Sequence, residues 1–315
     1  EAGKVDVLFD GHGHAPSPPV VGEEGRDLAD APEAVQADLP DWLVPTFHAA
    51  CGDAFAPVTQ HMKGRGPIAL RVNLARTDRA TAQAQLADHD IETMIVHDCP
   101  TALIVTQNPR RVANAPSYLN GDVEMQDVSS QRAVLALGIE PGMRVLDYCA
   151  GGGGKALAMA ALGANVTAHD IEPSRMSDLP TRAARAGADI EIADARKLKG
   201  QRFDLVLCDA PCSGSGTWRR TPEAKWALTS ERLEHLIQLQ RQIMKDASTF
   251  VRPDGVLAYA TCSILRAENE GHWPPSAPAP GHQDEVLFER QWLTDAVADG
   301  FYLRAIRMRQ QPEIA

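Results

Sequence analysis

The sequence predicts a doubly wound α/β domain preceded by a small α+β domain, and two patterns carry that prediction. From Pro141 onward strands and helices alternate strictly. MRVLDYCA is followed by GGGGKALAMAALG, ANVTAHDI by PSRMSDLPTRAARAG, DIEIADA by a short connection, and FDLVLCDA by a long amphipathic helix at about 229–251, before GVLAYATCS closes the series. Strands that are apolar throughout and separated by helices form a parallel sheet covered on both faces. Residues 38–118 read instead as a strand (IALRVNLAR), a helix (DRATAQAQLADHD) and two β-like runs (IETMIVHDC, ALIVTQN), an α+β order.

Upstream of these elements, residues 1–37 are rich in Gly, Pro, Ala and acid and read as linker or disordered. Ordered structure is expected to begin at DLPDWLVPTFHAA, with Asp41 capping a short helix. GDVEMQDVSSQRAVLAL reads as a bridge into the second domain, residues 119–315. At 315 residues and 44% hydrophobic, the chain can bury a sizeable core over about two domains. No uninterrupted apolar run approaches the ~18 residues of a membrane helix. Six cysteines without a repeating spacing (51, 99, 149, 208, 212, 262) point to reduced thiols in a cytoplasmic protein, and to neither a disulfide scaffold nor a zinc site. A net charge of −11 argues against indiscriminate coating of nucleic acid, although basic residues cluster in NPRRVANA, TWRRTPEAKW and LRAIRMR.

In an open α/β sheet, ligands sit beyond the carboxyl ends of the strands. CAGGGGKA (149–156) follows the first strand of the second domain and opens a helix. Glycines let a ligand approach the backbone, and free amides at a helix start favour negative charge. Gly151, Gly153 and Ala156 fit a dinucleotide fingerprint, and Asp170 stands at about the 20-residue distance suited to ribose hydroxyls. The loop specifies an adenosine-type cofactor, with NAD and S-adenosylmethionine both open. Asp170, Asp194 and Asp209 follow successive strands and could line one rim, although a single such acid is more often a helix cap.

Cys212 follows the fourth strand of this series and Cys262 the fifth. Neighbouring parallel strands lie about 4.8 Å apart, so both thiols can face one pocket. Each is flanked by polar or turn residues (Pro211 and Ser213; Thr261 and Ser263), which favours reactive thiols over buried packing residues. Such a pair suits covalent catalysis on a pyrimidine. A thiolate adding to carbon 6 of cytosine makes carbon 5 enamine-like, and a second thiol can assist release.

DYCAGGGGKA, DAPCSGSGTWRR and ATCS, in this order, resemble the Sun (NSUN, RsmB-type) family of RNA cytosine-5 methyltransferases, with a match from about Pro40 to Glu270 that takes in LRVN (70–73) and QDVSSQ (126–131). The cysteine pair separates this resemblance from NAD binding. The resemblance implies a Rossmann-like methyltransferase domain and a small N-terminal RNA-binding domain. It implies that S-adenosylmethionine is held by Cys149, Ala150, Gly151, Gly152, Gly153, Gly154, Lys155, Asp170, Arg175, Asp194 and Asp209. Cys262 is then the nucleophile, Cys212 assists product release, and Asp209 supports ring protonation. Arg219, Arg220 and Lys225 are implied as RNA contacts. The expected partner is ribosomal RNA, with no metal and no membrane, and the expected state is a monomer. Transfer RNA is an alternative substrate, and a catalytically weak ribosome assembly factor is an alternative role. Where the family usually reads Cys-Ala-Ala-Pro-Gly-Gly-Lys-Thr, this chain has Gly151, Gly152 and Ala156, so a floppier loop is expected. The proline-rich GHWPPSAPAPGHQDE reads as short for the usual helix, and DGFYLRAIRM as the closing strand.

Overall fold

The computed structural model describes residues 9–20, 28–271 and 284–309. Residues 1–8 and 21–27 of the expected linker, and residues 272–283 of the proline-rich segment, lie outside the described residues. The chain divides into two compact units, Glu1–Val44 and Pro45–Ala315. Within the first, part of the expected linker is helical: α1 (Glu33–Ala37) closes on Asp38 in the left-handed conformation, with Leu39 N–H donating to Ala34 O at 2.9 Å. Asp41 does not cap a helix. It lies inside a 3₁₀ turn, Asp41–Leu43, which starts after Pro40 and runs into α2 (Val44–Cys51).

The second unit carries two sheets. After α3 (Phe55–Lys63), β1 (Ile68–Val72), α4 (Arg79–Ala87), β2 (Thr93–Ile95), β3 (Ala102–Val105), α5 (Pro116–Leu119) and β4 (Val123–Met125) build an antiparallel sheet in the order β2-β3-β1-β4. Asp78 caps α4 by accepting from Thr81 N–H at 2.8 Å, one of the orphan donors at a helix start. Leu70, Leu86, Ile91, Leu103 and Val123 are fully buried in one cluster, and burial of each such side chain contributes about 1.5–3 kcal/mol. β4 comes from the segment read as a bridge. It pairs with β1 in the register Arg71↔Glu124, and three residues are too few to show a period.

α6 (Val128–Ala136), capped by Asp127, leads into the large sheet. Its elements are β5 (Arg144–Asp147), α7 (Gly154–Ala161), β6 (Asn165–Ala168), α8 (Leu179–Ala186), β7 (Ile190–Ile192), α9 (Ala195–Leu198), β8 (Phe203–Asp209), α10 (Ala224–Ala227), α11 (Ser230–Ser248), β9 (Val251–Thr261), β10 (Glu285–Trp292) and β11 (Phe301–Arg307). The order is β10-β11-β9-β8-β5-β6-β7, parallel from β9 to β7 and antiparallel at β11 and β10. The chain runs outward from β5 in both directions, so the switch point lies where β5 neighbours β8, the place where such folds bind ligands. β10 was not foreseen. As an edge strand of mixed polarity (EVLFERQW) it shows no alternation. Among the described residues, no helix is long and apolar enough to cross a membrane, and no group of three or more His, Cys, Asp or Glu could hold a metal ion.

The two sheets are joined by polar contacts. Asn73 Nδ2 donates to the carbonyls of Gly121 and Ala186, both at 3.0 Å, and Arg185 donates to Glu124 at 2.7 Å. LRVN thereby fastens the small sheet to the end of α8.

Candidate active site

β8 and β9 pair as far as Asp209↔Ala260, and Ala210 N–H adds one more bond to Ala260 O at 2.9 Å. Both chains then leave the sheet, at Pro211 and at Thr261, which brings Cys212 Sγ to 3.4 Å from Cys262 Sγ. Both thiols are half-buried. Trp218, itself buried, donates to Ser213 O at 3.0 Å and stacks on Phe47 with centroids 5.6 Å apart, which anchors the loop after Cys212. The hydrogen bond from Cys212 holds Cys262 below the ordinary thiol range against burial and the Asp209 charge, with Lys155 helping. The same bond, then burial, Cys262 and Glu268, pushes Cys212 far upward. Of the two thiols, Cys262 is therefore the one that ionises more readily.

Lys155, in the first turn of α7, reaches the same strand ends. Its Nζ lies 2.6 Å from Asp209 Oδ2 and 4.8 Å from the centroid of the Phe301 ring. Burial opposes its charge, but Asp209 and Asp147 outweigh burial and hold the ammonium above its usual range. Asp147, at the end of β5, is buried and neither carboxylate oxygen has a hydrogen-bond partner among the described residues. Burial first, and then the Asp209 charge, push its carboxyl up to about 7.

The glycine loop turns on Gly151 (φ 49°) and Gly153 (φ 79°), left-handed conformations open to glycine. A Cβ at Gly153 would come within 2.2 Å of Leu179 Cδ1. Gly151 N–H donates to Asp170 Oδ2 at 2.9 Å, Glu172 N–H to Oδ1 at 3.0 Å, and Arg175 Nη1 lies 3.3 Å from Oδ2. Burial of Asp170 is thereby compensated. Ile171, next in sequence, is 88% exposed. An exposed apolar side chain and a backbone bare of Cβ atoms fit the ring and chain of an adenosine-type cofactor, and the Asp170 carboxylate, 1% exposed, braces the loop beside them. Cys149, pushed upward mainly by burial, stays a thiol, and Ala150 N–H is bound to His169 O at 2.8 Å. Gly152 is not an unsupported glycine. Arg182 Nη1 donates to its carbonyl, and a Cβ there would meet that nitrogen at 3.0 Å. Gly154 opens α7.

Other expected residues are placed differently. Asp194 caps α9, its Oδ1 accepting from Arg196 N–H at 3.0 Å and Lys197 N–H at 2.9 Å. The Lys197 amide is the main cause of its lowered carboxyl range. Arg219 turns inward: its side chain is 2% exposed and donates to Asp299 at 2.6 Å and Asp295 O at 2.7 Å. Arg220 pairs with Asp299 and also with Asp127 at 3.2 Å, while remaining 36% exposed. Lys225 is buried, with Nζ 5.8 Å from the Trp226 ring centroid.

Sequence reasoning missed Glu268. Its Oε1 accepts from Ser213 N–H at 2.8 Å and Gln240 Nε2 at 3.1 Å, and its Oε2 accepts from the hydroxyls of Ser213 and Ser263, each at 2.5 Å. Asn269 beside it donates to Ser263 O at 2.9 Å and accepts from Thr261 at 2.7 Å. The available signal was that each reactive cysteine is followed by a serine, as if both answered to one partner.

Residues 134–273 match the family model described as 16S rRNA methyltransferase RsmB/F, and residues 39–112 match the ferredoxin-like domain of RsmF/B-like methyltransferases. The chain is 35% identical over 243 residues to a ribosomal RNA small subunit methyltransferase B of Pasteurella multocida, covering 73% of this chain and 54% of that protein. It is also 35% identical over 269 residues to the protein of that name in Sodalis glossinidius, covering 83% of this chain and 61% of the relative. The chain therefore spans less than two thirds of the length of either relative. The crystal structure of NSun6 from Pyrococcus horikoshii with SFG shares the fold, with a TM-score of 0.72 at 16% identity over 86% of this chain and 99% of that one. With two adjoining domain models matched in family order and both curated relatives above carrying one name, the chain belongs to the RsmB/F (Sun) family of methyltransferases, whose methyl donor is S-adenosylmethionine.

Proposed function

We propose that the protein methylates carbon 5 of a cytosine in RNA, with ribosomal RNA as the substrate, through a covalent adduct on Cys262. The observation that carries this reading is the 3.4 Å approach of Cys212 to Cys262 at the rim that also holds the Lys155–Asp209 pair at 2.6 Å. The names borne by the curated relatives support RNA of the small ribosomal subunit as the substrate class.

Bound S-adenosylmethionine supplies an electrophilic methyl carbon. The backbone of residues 149–155 and the Asp170 carboxylate would hold it, with Ile171 against its ring, Arg175 beside Asp170, and Asp194 and Asp209 along the rim. The remaining work falls to this chain's side chains. Cys262, as thiolate, forms a bond to carbon 6, and the carbon 5–carbon 6 π electrons move to carbon 5 as Asp209 engages the base edge. Lys155 neutralises Asp209 and lies close enough to favour the Cys262 thiolate. Once carbon 5 has taken the methyl group it gives up its proton to a solvent water, the carbon 5–carbon 6 double bond re-forms, and the sulfur–carbon 6 bond breaks with its electron pair returning to Cys262 as thiolate. Cys212, with its sulfur 3.4 Å away, would assist that last step by hydrogen-bonding the departing thiolate. The target cytosine must be unstacked, since a thiol cannot reach carbon 6 inside a helix.

Transfer of labelled methyl from S-adenosylmethionine to unmodified ribosomal RNA, followed by nucleoside analysis, tests the reading. Label in 5-methylcytosine supports it. Label in another nucleoside, or in transfer RNA alone, contradicts it.

A further inference from the structure

Glu268 is fully buried, and four donors converge on its carboxylate. A buried carboxyl met by this many donors has its burial compensated. Two of the donors are the hydroxyls of Ser213 and Ser263, the residues that directly follow Cys212 and Cys262. One side chain therefore grips both strand-end loops at the point where each turns its sulfur inward. The grip is unequal. On the Cys212 side Glu268 takes both the amide and the hydroxyl of Ser213, whereas on the Cys262 side it takes the Ser263 hydroxyl alone, and Ser263 N–H turns to Thr261 Oγ1 at 3.3 Å.

We propose that Glu268 is a positioning residue that makes the two cysteines unequal: it holds the sulfurs at bonding distance and, sitting on the Cys212 side, disfavours charge there, so that Cys262 carries the thiolate. The groups facing the pair agree. Asp209, Lys155 and Thr217 act on Cys262, while Glu268 and the Gly214 amide act on Cys212. Lys155 favours a thiolate on one sulfur and Glu268 opposes it on the other. Gln240, from α11, donates to both Glu268 and Pro211 O (2.9 Å), so a long helix backs the arrangement.

This inference rests on Cys262 being the attacking sulfur, but its first test, alkylation, needs neither RNA nor a methyl donor. The intact chain and Glu268→Gln are treated with iodoacetamide across about pH 6 to 10, bracketing ordinary thiol ionisation, and modification at each cysteine is read by peptide mass mapping. In the intact chain Cys262 is modified first, at a pH below that of an ordinary thiol. In Glu268→Gln the preference for Cys262 over Cys212 falls by about tenfold, the thiolate ratio that one pH unit represents. An unchanged ratio, or Cys212 reacting first in the intact chain, overturns the proposal. Should Glu268→Gln fail to give a cooperative unfolding transition, Ser213→Ala replaces it, removing one grip and leaving the carboxylate. The Cys262 preference then persists while kcat for methyl transfer falls with KM unchanged, and loss of the preference with kcat intact overturns the proposal. If the intact chain shows the alkylation preference but transfers no methyl to RNA, the functional reading fails and this one stands.

Discussion

Arg182, on α8, donates its Nη1 to the carbonyl of Gly152 in the glycine loop. The loop was expected to be loosened by its additional glycines, and this side chain takes up the space that a Cβ at Gly152 would enter. Arg182 is also 3.5 Å from Glu124 of β4, so the loop is tied through it to the small sheet. A hydrogen bond from a charged donor contributes about 1.5–3 kcal/mol, less where solvent reaches it. Arg182→Ala should therefore weaken S-adenosylmethionine binding by roughly tenfold, the lower end of that range, as measured by calorimetric titration. Unchanged affinity would mean that the loop keeps its shape without the brace.

The Arg219–Asp299 pair predicts a stability effect where the sequence pointed to RNA. Removing one member of a buried pair leaves the other charge uncompensated, at a cost of about 3–5 kcal/mol. Asp299→Ala should lose roughly that much in urea unfolding and Arg219→Ala a comparable amount, while Arg220→Ala, at 36% exposure, should lose much less. Equal small losses for all three would contradict the buried pairing.

How much of this was legible follows from what a one-dimensional pattern carries. The parallel strands announce themselves because β5, β8 and β9 each carry a buried apolar run (Val145–Leu146, Leu205–Cys208, Leu257–Ala260), and the loops at their ends hold the cysteines. β4 and β10 do not, one being three residues long and the other an edge strand of mixed polarity. TWRR shows charge but not direction, and Asp299, which turns both arginines inward, is eighty residues away from Arg219. Glu268 was hidden for the same reason: its meaning lies in two serines brought together by neighbouring strands. Asp194 reads equally as rim acid or cap, and its carboxylate is engaged as a cap.

Asp147 predicts a pH dependence. Its carboxyl stands at about 7 in the folded protein against about 3.9 for an ordinary aspartate, so the folded state binds the extra proton between those values. The stability it contributes is present while the carboxyl is protonated and is lost as pH rises from about 4 to 7, with no further change above. Unfolding free energies at about pH 5 and pH 8 should accordingly differ less in Asp147→Asn than in the intact chain. A pH difference of the same size in both proteins would mean that Asp147 ionises normally.

If Cys262 forms the bond to RNA and Cys212 releases it, denaturing electrophoresis after incubation with substrate RNA and S-adenosylmethionine separates the two roles. Cys212→Ala should give a protein–RNA band that survives denaturation, and the Cys212→Ala/Cys262→Ala double variant should give none. A band that persists in the double variant, or methyl transfer undiminished in Cys262→Ala, would contradict the account.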